Sequence, residues 1–368
     1  MRIILIMIIT MGLYLLQRHF YVRNCFKKLE AEVKFSTTSI FQGEEVILTV
    51  SVSNKKIMPI WWLGVKYNLS RNLRFQEMKD GYAGIDNYCR DTFFVMAYER
   101  ITKKYNLFAV KRGYYSIKEI EINSGDLFND TRLIKKLANN TELYVYPELI
   151  SLKEIDIVFN KIYGEIIAQR SLLEDPFQLR GIREYSSFDS MKAVNWKASA
   201  RSGELKVNQF ENTSSAGVTI ILNVEKYNSY DNMEVLERAI SITASLATRF
   251  MKNGIEVEVI SNGRSDISGE AISVQGGSNI KRSIEIYEAL ATLNVDKLER
   301  PLANLIDEEI RYMRKNRVII LVSHYHNSKT LEVFMTKLLQ GYSLQWIIPE
   351  GETAVAQLKD IEEYIIRV

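Results

Sequence analysis

An uncharged apolar run occupies residues 3–16 and ends at Gln17, Arg18 and His19. Such a run predicts a membrane-spanning helix. It is short, because about 16 residues at about 1.5 Å each span roughly 24 Å, whereas the hydrocarbon core of a bilayer is about 30 Å thick. A cleaved secretory signal is the alternative, but no small-x-small cleavage site follows. We predict a membrane anchor at residues 1–22.

From residue 26 to residue 150, apolar positions recur with the period of β-strands. In residues 46–53, which read V-I-L-T-V-S-V-S, the first and every second residue after it is valine or leucine. The residues between them are one isoleucine, one threonine and two serines. Similar runs cover residues 92–98, 105–110, 114–122 and 142–146. Period two with short intervening polar clusters predicts an antiparallel β-sandwich-like domain. We interpret Trp61 and Trp62 as packing aromatics, with a stacking platform for a sugar or base as the alternative.

From residue 214 onward, short buried runs alternate with helical patterns, which predicts an α/β doubly wound domain over residues 214–368. The predicted strands are residues 218–224, 255–261, 317–323 and 344–349. The predicted buried helix faces are Leu236, Ile240, Thr243, Ala247 and Phe250, then Ile280, Ile284, Tyr287 and Ala291, then Leu358, Ile361 and Ile365. Ligands bind such sheets at the carboxyl ends of the strands, which indicates the loops after Val224 and Ser323.

Composition and charge narrow the class of protein. A chain of 368 residues with 46% hydrophobic content predicts two or three packed domains, and the net charge of +3 is spread along the chain, which argues against nucleic acid as a partner. Cys25 and Cys89 match neither a disulfide framework nor a metal motif, and they fit a reducing compartment. More basic residues follow the apolar run than precede it, so we predict a single-pass protein of the cell membrane whose body faces the cytoplasm.

Residues 173–213, here called the signature segment, lie between the two predicted domains. From Arg183 to Glu211 they read R-E-Y-x-x-x-D-x-x-x-x-x-N-W-K-A-S-A-R-x-G-x-L-x-V-x-Q-F-E. This pattern resembles the bacterial domain of unknown function 58 (DUF58) family. The resemblance extends to K-R-G-Y-Y from Lys111, S-G-D-L-F from Ser124 and V-Y-P-E-L from Val145, so it covers nearly the whole chain.

The resemblance implies a membrane-anchored β-rich region, the signature, and then a von Willebrand factor A-like domain. Members are often encoded beside MoxR-type AAA+ ATPases, which implies a protein partner of that class. No enzyme activity and no cofactor follow from the resemblance. Members often carry two amino-terminal membrane segments, whereas this chain shows one. We place the signature in a linker spanning residues 151–213.

The polar and aromatic residues of the signature are the candidate partner-binding residues. They are Arg183, Glu184, Tyr185, Asp189, Asn195, Trp196, Lys197, Ser199, Arg201, Gln209 and Glu211. The residues themselves favour a scaffold role over partner binding: Trp196 and Phe210 would pin the segment against the sheet, and the arginines would bind carboxylates or carbonyls. A third interpretation makes Glu184 and Asp189 the carboxylates of a hydrolase, but neighbouring arginines would hold both ionised.

The resemblance also raises a metal question, because von Willebrand A-type domains hold Mg²⁺ with a D-x-S-x-S run and an aspartate after a later strand. Here Asn223, Glu225 and Tyr227 occupy the first motif, and Ser323 and His324 stand at the later position. Too few oxygen anions remain, so we predict a degenerate site without tight Mg²⁺. Two weaker alternatives are a zinc site at His324 and His326 and a phosphate cradle at Gly276 and Gly277. We interpret the two glycines instead as a turn before a helix whose cap is Ser278 or Asn279.

Only three histidines occur, and none is near a nucleophile motif, so no catalytic residue is predicted. The sequence therefore predicts a membrane-anchored, non-enzymatic interaction or assembly protein. A metal-dependent, Mg²⁺-binding adhesion-type module is the alternative.

Overall fold

The computed structural model describes residues 2–76, 88–125, 132–172, 174–186, 191–212, 217–226, 233–313, 317–324, 327–349 and 359–368. The chain forms two compact units. Unit 1 is Met1–Glu148 and unit 2 is Leu149–Val368.

Unit 1 begins with the helix α1 (Arg2–Asn24), which is longer than the apolar run predicts. Its 23 residues span roughly 34 Å at about 1.5 Å each, so the prediction of a helix too short for a bilayer is wrong. The helix continues past Arg18 because its last turn packs in the fold, where Tyr21 and the following Cys25 are buried. Each large aliphatic side chain from residue 3 to residue 16 is more than half exposed. Residues Ile3–Asn24 are thus long and apolar enough to cross a membrane.

The rest of unit 1 is a two-sheet β-structure, as predicted. One sheet has the order β1 (Leu29–Phe35), β3 (Glu45–Asn54), β7 (Arg100–Ala109) and β5 (Leu73–Phe75). The other has the order β2 (Ser39–Phe41), β9 (Arg132–Tyr146), β8 (Gly113–Gly125), β4 (Ile60–Asn68) and β6 (Tyr88–Val95). Neighbours are antiparallel except β2 and β9. Alternate residues of β3, β4 and β7 point into one apolar core, which includes Val46, Leu48, Val50 and Val52.

The two adjacent tryptophans of β4 pack only in part. Trp61 is half-exposed and makes an edge contact with Phe94, with 5.2 Å between the ring centroids. Trp62 is partly buried, and the Arg90 guanidinium lies 5.2 Å from the centroid of its ring. The packing interpretation therefore holds for one side of each ring.

Unit 2 contains a seven-stranded, mainly parallel sheet. Its strand order is β14 (Ala271–Gly277), β13 (Glu256–Ser265), β12 (Gly217–Leu222), β16 (Val318–Val322), β17 (Ser343–Ile348) and β18 (Ile365–Arg367), and β15 (Leu293–Leu298) also pairs with β13. The four predicted strands are present and parallel, while β14 and β15 are antiparallel. The helices are α4 (Met233–Lys252), α5 (Ile280–Thr292), α6 (Leu302–Tyr312) and α7 (Ser328–Leu339).

Residues 151–213, predicted as a linker, contain regular structure. The helix α2 (Leu152–Leu172) is followed by the antiparallel pair β10 (Glu174–Glu184) and β11 (Lys206–Asn212), with α3 (Trp196–Ser202) between those two strands. Ile155, Phe159, Ile162 and Ile166 of α2 are buried, and the Phe159 and Phe250 rings of α2 and α4 lie 5.1 Å apart. The segment therefore belongs to the packed body of unit 2.

The predicted helix faces have three different outcomes. All five predicted residues of α4 are buried. The prediction for α5 is wrong in its first two turns, where Ile280 is 82% exposed, because the helix packs through Ile286, Tyr287, Leu290 and Ala291 against α4 and β14. The last predicted helix is also wrong: residues Lys359–Tyr364 form a 3-10 helix and Ile365–Arg367 pair with β17, which satisfies backbone groups of that strand. Leu358 lies outside the described residues.

Candidate functional site

The carboxyl ends of β12 and β16 meet at a reversal in the winding of the sheet. The chain proceeds from β12 to β13 on one side and later returns to β16 on the other side, which gives the 3-2-1-4-5-6 order of doubly wound folds. Asn223 follows β12 directly and Ser323 follows β16 directly. The two strand ends that precede the predicted ligand loops are therefore adjacent in the sheet.

Asn223 is fully buried and uses its whole side-chain amide within the protein. Its Nδ2 donates to Ser323 Oγ at 2.7 Å, and its Oδ1 accepts from Asn262 Nδ2 at 2.7 Å and from the Glu225 backbone N–H at 3.0 Å. Asn262 Oδ1 in turn accepts from the Val224 N–H at 2.9 Å. These bonds join the carboxyl ends of β12 and β16 to Asn262, which lies inside β13 just after Ser261, the last residue of β13 that pairs with β12. A cation could bind Asn223 only by displacing two donors from its oxygen.

A fourth strand joins the same network. Trp346 of β17 is fully buried and donates from its indole Nε1 to the Ser323 carbonyl at 2.9 Å. Buried polar groups that are all hydrogen-bonded give a rigid arrangement, whereas a missing partner is costly. We call Asn223, Asn262, Ser323 and Trp346 the strand-end network.

Glu225, at a position that a metal-binding motif would give to serine, caps a helix. Its carboxylate accepts from the Leu302 N–H at 3.0 Å, at the start of α6, where Pro301 supplies no side-chain cap. Burial raises the pKa of Glu225, and the hydrogen bond from Leu302 opposes that shift. Lys226 forms an ion pair with Asp296 at 2.6 Å. Both side chains therefore have roles within the fold.

The histidine pair is only partly visible. His324 is buried beside Ser323, while His326 and Tyr227 lie outside the described residues. Among the residues that the structure describes, no group of three or more His, Cys, Asp or Glu side chains could hold a metal ion. The prediction of a turn at Gly276 and Gly277 is wrong, because both residues end β14, where Gly277 pairs with Val257. The predicted cap of α5 is present: Asn279 Oδ1 accepts from the Arg282 N–H at 2.8 Å.

The signature segment forms a two-stranded sheet that carries a short helix. Asn195 begins α3: its Oδ1 accepts from the Ala198 N–H at 3.0 Å, and its Nδ2 donates to Asn208 of β11 at 2.6 Å. Ser199 is buried, and its hydroxyl accepts from the Lys206 N–H at 2.8 Å. Gly203 ends the helix in the left-handed conformation, with φ of 75°. The capping residues thus fix α3 against β11.

The side chains that α3 presents point outward. Trp196 is 63% exposed, so the prediction that it pins the segment against the sheet is wrong; Val194 and Val207 provide that packing instead. Lys197 and Arg201 are exposed, and within the described part of the chain neither makes an ion pair. We call Trp196, Lys197 and Arg201 the signature helix surface.

The other predicted signature residues are spread along the strands. Arg183 donates to the Glu184 carbonyl at 3.0 Å, which agrees with a carbonyl contact, and Glu184 is 78% exposed, 3.4 Å from Lys206 Nζ. Tyr185 is partly buried, and its N–H donates to the Leu205 carbonyl. Asp189 lies outside the described residues, and so do the side chains of Gln209, Phe210 and Glu211.

Sequence reasoning missed three members of these sites, Asn262, Trp346 and Asn208. Asn223 and Ser323 were selected through the metal motif that the family resemblance implies. Asn262 directly follows the predicted strand 255–261, so the rule that ligands bind at strand ends could have found it. No sequence pattern indicated Asn208. Its side chain accepts a hydrogen bond from Asn195, and its position depends on the pairing of β10 with β11, in which Ile182 lies opposite Asn208.

Comparison with known proteins supports the predicted family resemblance for part of the chain. Residues 181–294 match the family model described as "Protein of unknown function DUF58", rather than the nearly whole length that the motifs indicate. The chain is also 22% identical over 244 residues to the uncharacterized protein YeaD of Bacillus subtilis (strain 168). That alignment covers 65% of this chain and 57% of YeaD.

Similarity to solved structures is weaker. A non-cellulosomal cohesin from the archaeon Archaeoglobus fulgidus matches 34% of this chain and 94% of its own, with 10% identity and a TM-score of 0.23. The collagen-binding subdomain ACE19 of an Enterococcus faecalis surface protein matches 32% of this chain and 97% of its own, with 10% identity and a TM-score of 0.22. Similarities at such TM-scores do not establish a shared fold.

Proposed function

We propose that this chain is a membrane-anchored interaction or assembly protein, without enzymatic activity of its own, that binds a protein partner through the signature helix surface. Unit 2 is, in this proposal, a von Willebrand factor A-like domain that has lost its metal site. The strand order with the antiparallel edge strand β14 supports that assignment. The basic residues Arg18, Arg23, Lys27 and Lys28 support a body on the cytoplasmic side of α1.

The exposure of Trp196 carries the proposal. A large aromatic side chain on a short, doubly capped helix is held in place without being covered, at little conformational cost to a partner. Tryptophan and arginine are enriched among the residues that dominate binding energy in protein interfaces. Trp196 and Arg201 lie five residues apart on α3, with Lys197 between them.

The strand-end network supports an interaction role that does not use a cation. Asn223 and Ser323 hydrogen-bond to each other where a metal-dependent module would place ligands. The first partner to test is a MoxR-type AAA+ ATPase, because the family that the signature resembles is often encoded beside one.

Co-purification from membranes tests the proposal. Wild-type chain is expected to retain a specific protein partner, and Trp196→Ala should reduce the retained amount at least about tenfold, since a truncated hot-spot side chain costs about 2 kcal/mol or more. Arg201→Ala should reduce it less. The matched control is Tyr88→Ala, which removes an exposed aromatic side chain from unit 1 and should leave co-purification unchanged.

Two results would contradict the proposal. Wild-type chain without any specific partner would remove the interaction role. Equal losses from Tyr88→Ala and Trp196→Ala would assign the effect to general destabilisation rather than to the signature helix surface.

A further inference from the structure

The end of unit 1 next to α1 collects several strand ends. The register shows these residue pairs at that end: Leu29 with Asn54, Ser53 with Arg100, and Ile60 with Val95. The connections at residues 55–59 and 96–99 therefore lie beside each other. Asn54 joins them, because its Nδ2 donates to the carbonyls of Met58 at 2.9 Å and Met96 at 2.8 Å.

This end is also tied directly to α1. The Lys55 N–H donates to the carbonyl of Lys28 at 2.9 Å, just after the helix. Tyr21, in the last turn of α1, has its hydroxyl 3.3 Å from Ser124 Oγ, and Ser124 donates to the Trp62 carbonyl at 2.7 Å. The connections therefore have a fixed position relative to the end of α1.

The exposed side chains here are mostly apolar or aromatic. Ile57 is 78% exposed and Tyr98 is 73% exposed, and Trp61, Phe94 and Met96 are about half-exposed. We call these five residues the anchor-side surface. Tyr98 and Lys28 are also the two non-glycine residues with positive φ in the described chain, at 55° and 51°. Such backbone conformations are maintained only where the surrounding structure enforces them.

Basic side chains surround the anchor-side surface. Within the described residues of this end, Lys27, Lys28, Lys55 and Lys56 outnumber Glu30 and Glu99. Lys55 pairs with Glu30 at 2.6 Å, while Lys27 contacts the neutral amide of Asn24. A positive balance attracts the anionic headgroups of a membrane surface.

The length of α1 sets the depth of this end. Exposed apolar side chains continue past Arg18 to Phe20 and Val22. Residues 3–22 span about 30 Å at about 1.5 Å per residue, which equals the hydrocarbon thickness. Arg18 can extend its guanidinium toward the headgroups. Lys27 and Lys28 then lie at headgroup level, together with the connection that is hydrogen-bonded to Lys28.

We propose that the anchor-side surface contacts the bilayer itself, with its five apolar and aromatic residues at the headgroup boundary of a membrane that contains anionic lipids. The inference rests on the membrane anchoring proposed above. Tryptophan, tyrosine and flanking lysine residues are the side chains that membrane proteins place at this level. A protein partner covering the same residues is the competing occupant.

Lipid quenching of site-specific probes tests the contact. Full-length Ile57→Cys and Tyr98→Cys chains, labelled with a polarity-sensitive fluorophore, are reconstituted in vesicles of phosphatidylcholine and phosphatidylglycerol that contain lipids brominated near the headgroup. Lys111→Cys is the matched control, because Lys111 is exposed between β7 and β8 at the opposite end of the sheets. The unsubstituted chain serves as the blank, since Cys25 and Cys89 are buried.

Probes at Ile57 and Tyr98 should be quenched at least about twofold more than the probe at Lys111. A probe on α1 at Leu13→Cys, read in vesicles whose lipids are brominated near the ends of their acyl chains, tests the anchor separately, because Leu13 lies near the middle of the span. If Leu13 is quenched while Ile57 and Tyr98 behave like Lys111, the anchor stands and this inference is wrong. If Leu13 is not quenched either, both are wrong. Emission shifted to the blue at Ile57 and Tyr98 without lipid quenching would assign the surface to a protein and overturn the inference.

Discussion

Asn223 and Asn195 are both asparagines at the edge of a regular element, yet they produce opposite surfaces. Asn223 directs both polar atoms of its amide inward and joins strand ends through buried hydrogen bonds. Asn195 uses its amide to hold α3 on β11, and the next residue, Trp196, is left exposed. An asparagine side chain therefore fills the strand-end network with internal hydrogen bonds, whereas at α3 an asparagine holds the helix that exposes Trp196. A polar residue at a strand end is not by itself a ligand, because its partners decide its role.

The largest effect should come from Asn223→Ala. The substitution removes the buried bonds that Asn223 makes with Ser323 Oγ and with Asn262 Nδ2, and the loss of a buried hydrogen bond of this kind costs about 1 to 3 kcal/mol. We expect unit 2 to lose about 3 kcal/mol of unfolding free energy. Hydrogen exchange of peptides from β12 and β16, measured by mass spectrometry, reports this unit alone.

The matched control is Asn253→Ala, whose side chain is exposed and bonds only the Arg249 carbonyl, and whose effect should remain within about 0.5 kcal/mol. Calorimetry with Mg²⁺ tests whether Asn223 is a metal ligand instead of a structural residue. Micromolar binding by the wild-type chain that disappears in Asn223→Ala would make Asn223 a ligand and remove the distinction between the two sites.

A smaller effect is expected from Asn195→Ala. Loss of an asparagine cap costs about 1 kcal/mol, and here the bond to Asn208 is lost as well. Amide exchange over residues 196–202 should accelerate, and partner retention should fall because Trp196 is no longer held in place. Asn195→Asp keeps the acceptor for the Ala198 N–H and should recover most of the protection. If Asn195→Ala left exchange unchanged while Trp196→Ala abolished binding, fixed presentation of Trp196 would not be needed.

The smallest effect, and one that depends on pH, should follow Glu225→Gln. Burial raises the pKa of Glu225 in the folded chain, so around that pKa the folded state binds more protons than the unfolded state. The contribution of Glu225 to stability therefore decreases as pH rises from the unfolded pKa through the raised folded one. Glutamine retains an acceptor for the Leu302 N–H and cannot ionise. Urea titrations across this range should show a flatter pH dependence for Glu225→Gln than for wild type, and parallel curves would contradict the assignment.

Sequence patterns predicted the elements whose burial repeats regularly. The four parallel strands and the buried face of α4 follow from apolar periodicity alone. Periodicity misassigned the start of α5, because it counts apolar residues such as Ile280 without information on which face meets a neighbour. It also gave too short a helix α1, because tertiary packing of Tyr21 and not composition decides where that helix ends.

The sequence predicted where the candidate site residues lie along the chain, but not which hydrogen-bond partners they have. The metal motif implied by the family resemblance selected Asn223 and Ser323, which hydrogen-bond to each other, and the strand-end rule indicated the loops that follow Val224 and Ser323. Neither could supply the Asn262 bond or the Trp346 donor, since these depend on register between strands distant in sequence. Trp196 was predicted by residue type to be packed, because aromatic side chains are usually buried. It is exposed instead, because the caps that fix α3 leave this residue facing outward.

The four residues that join α1 to β1 give unit 1 a mechanical property. Force applied through α1 enters at the start of β1. The strand β9 leaves unit 1 from the opposite end, since Leu29 and Arg132 begin their strands on the α1 side and Tyr146 ends on the other. The pull then runs along the strands, and hydrogen bonds that lie across the strands are loaded together rather than one at a time. Unit 1 is thus expected to resist unfolding when α1 and the chain beyond Tyr146 are pulled apart.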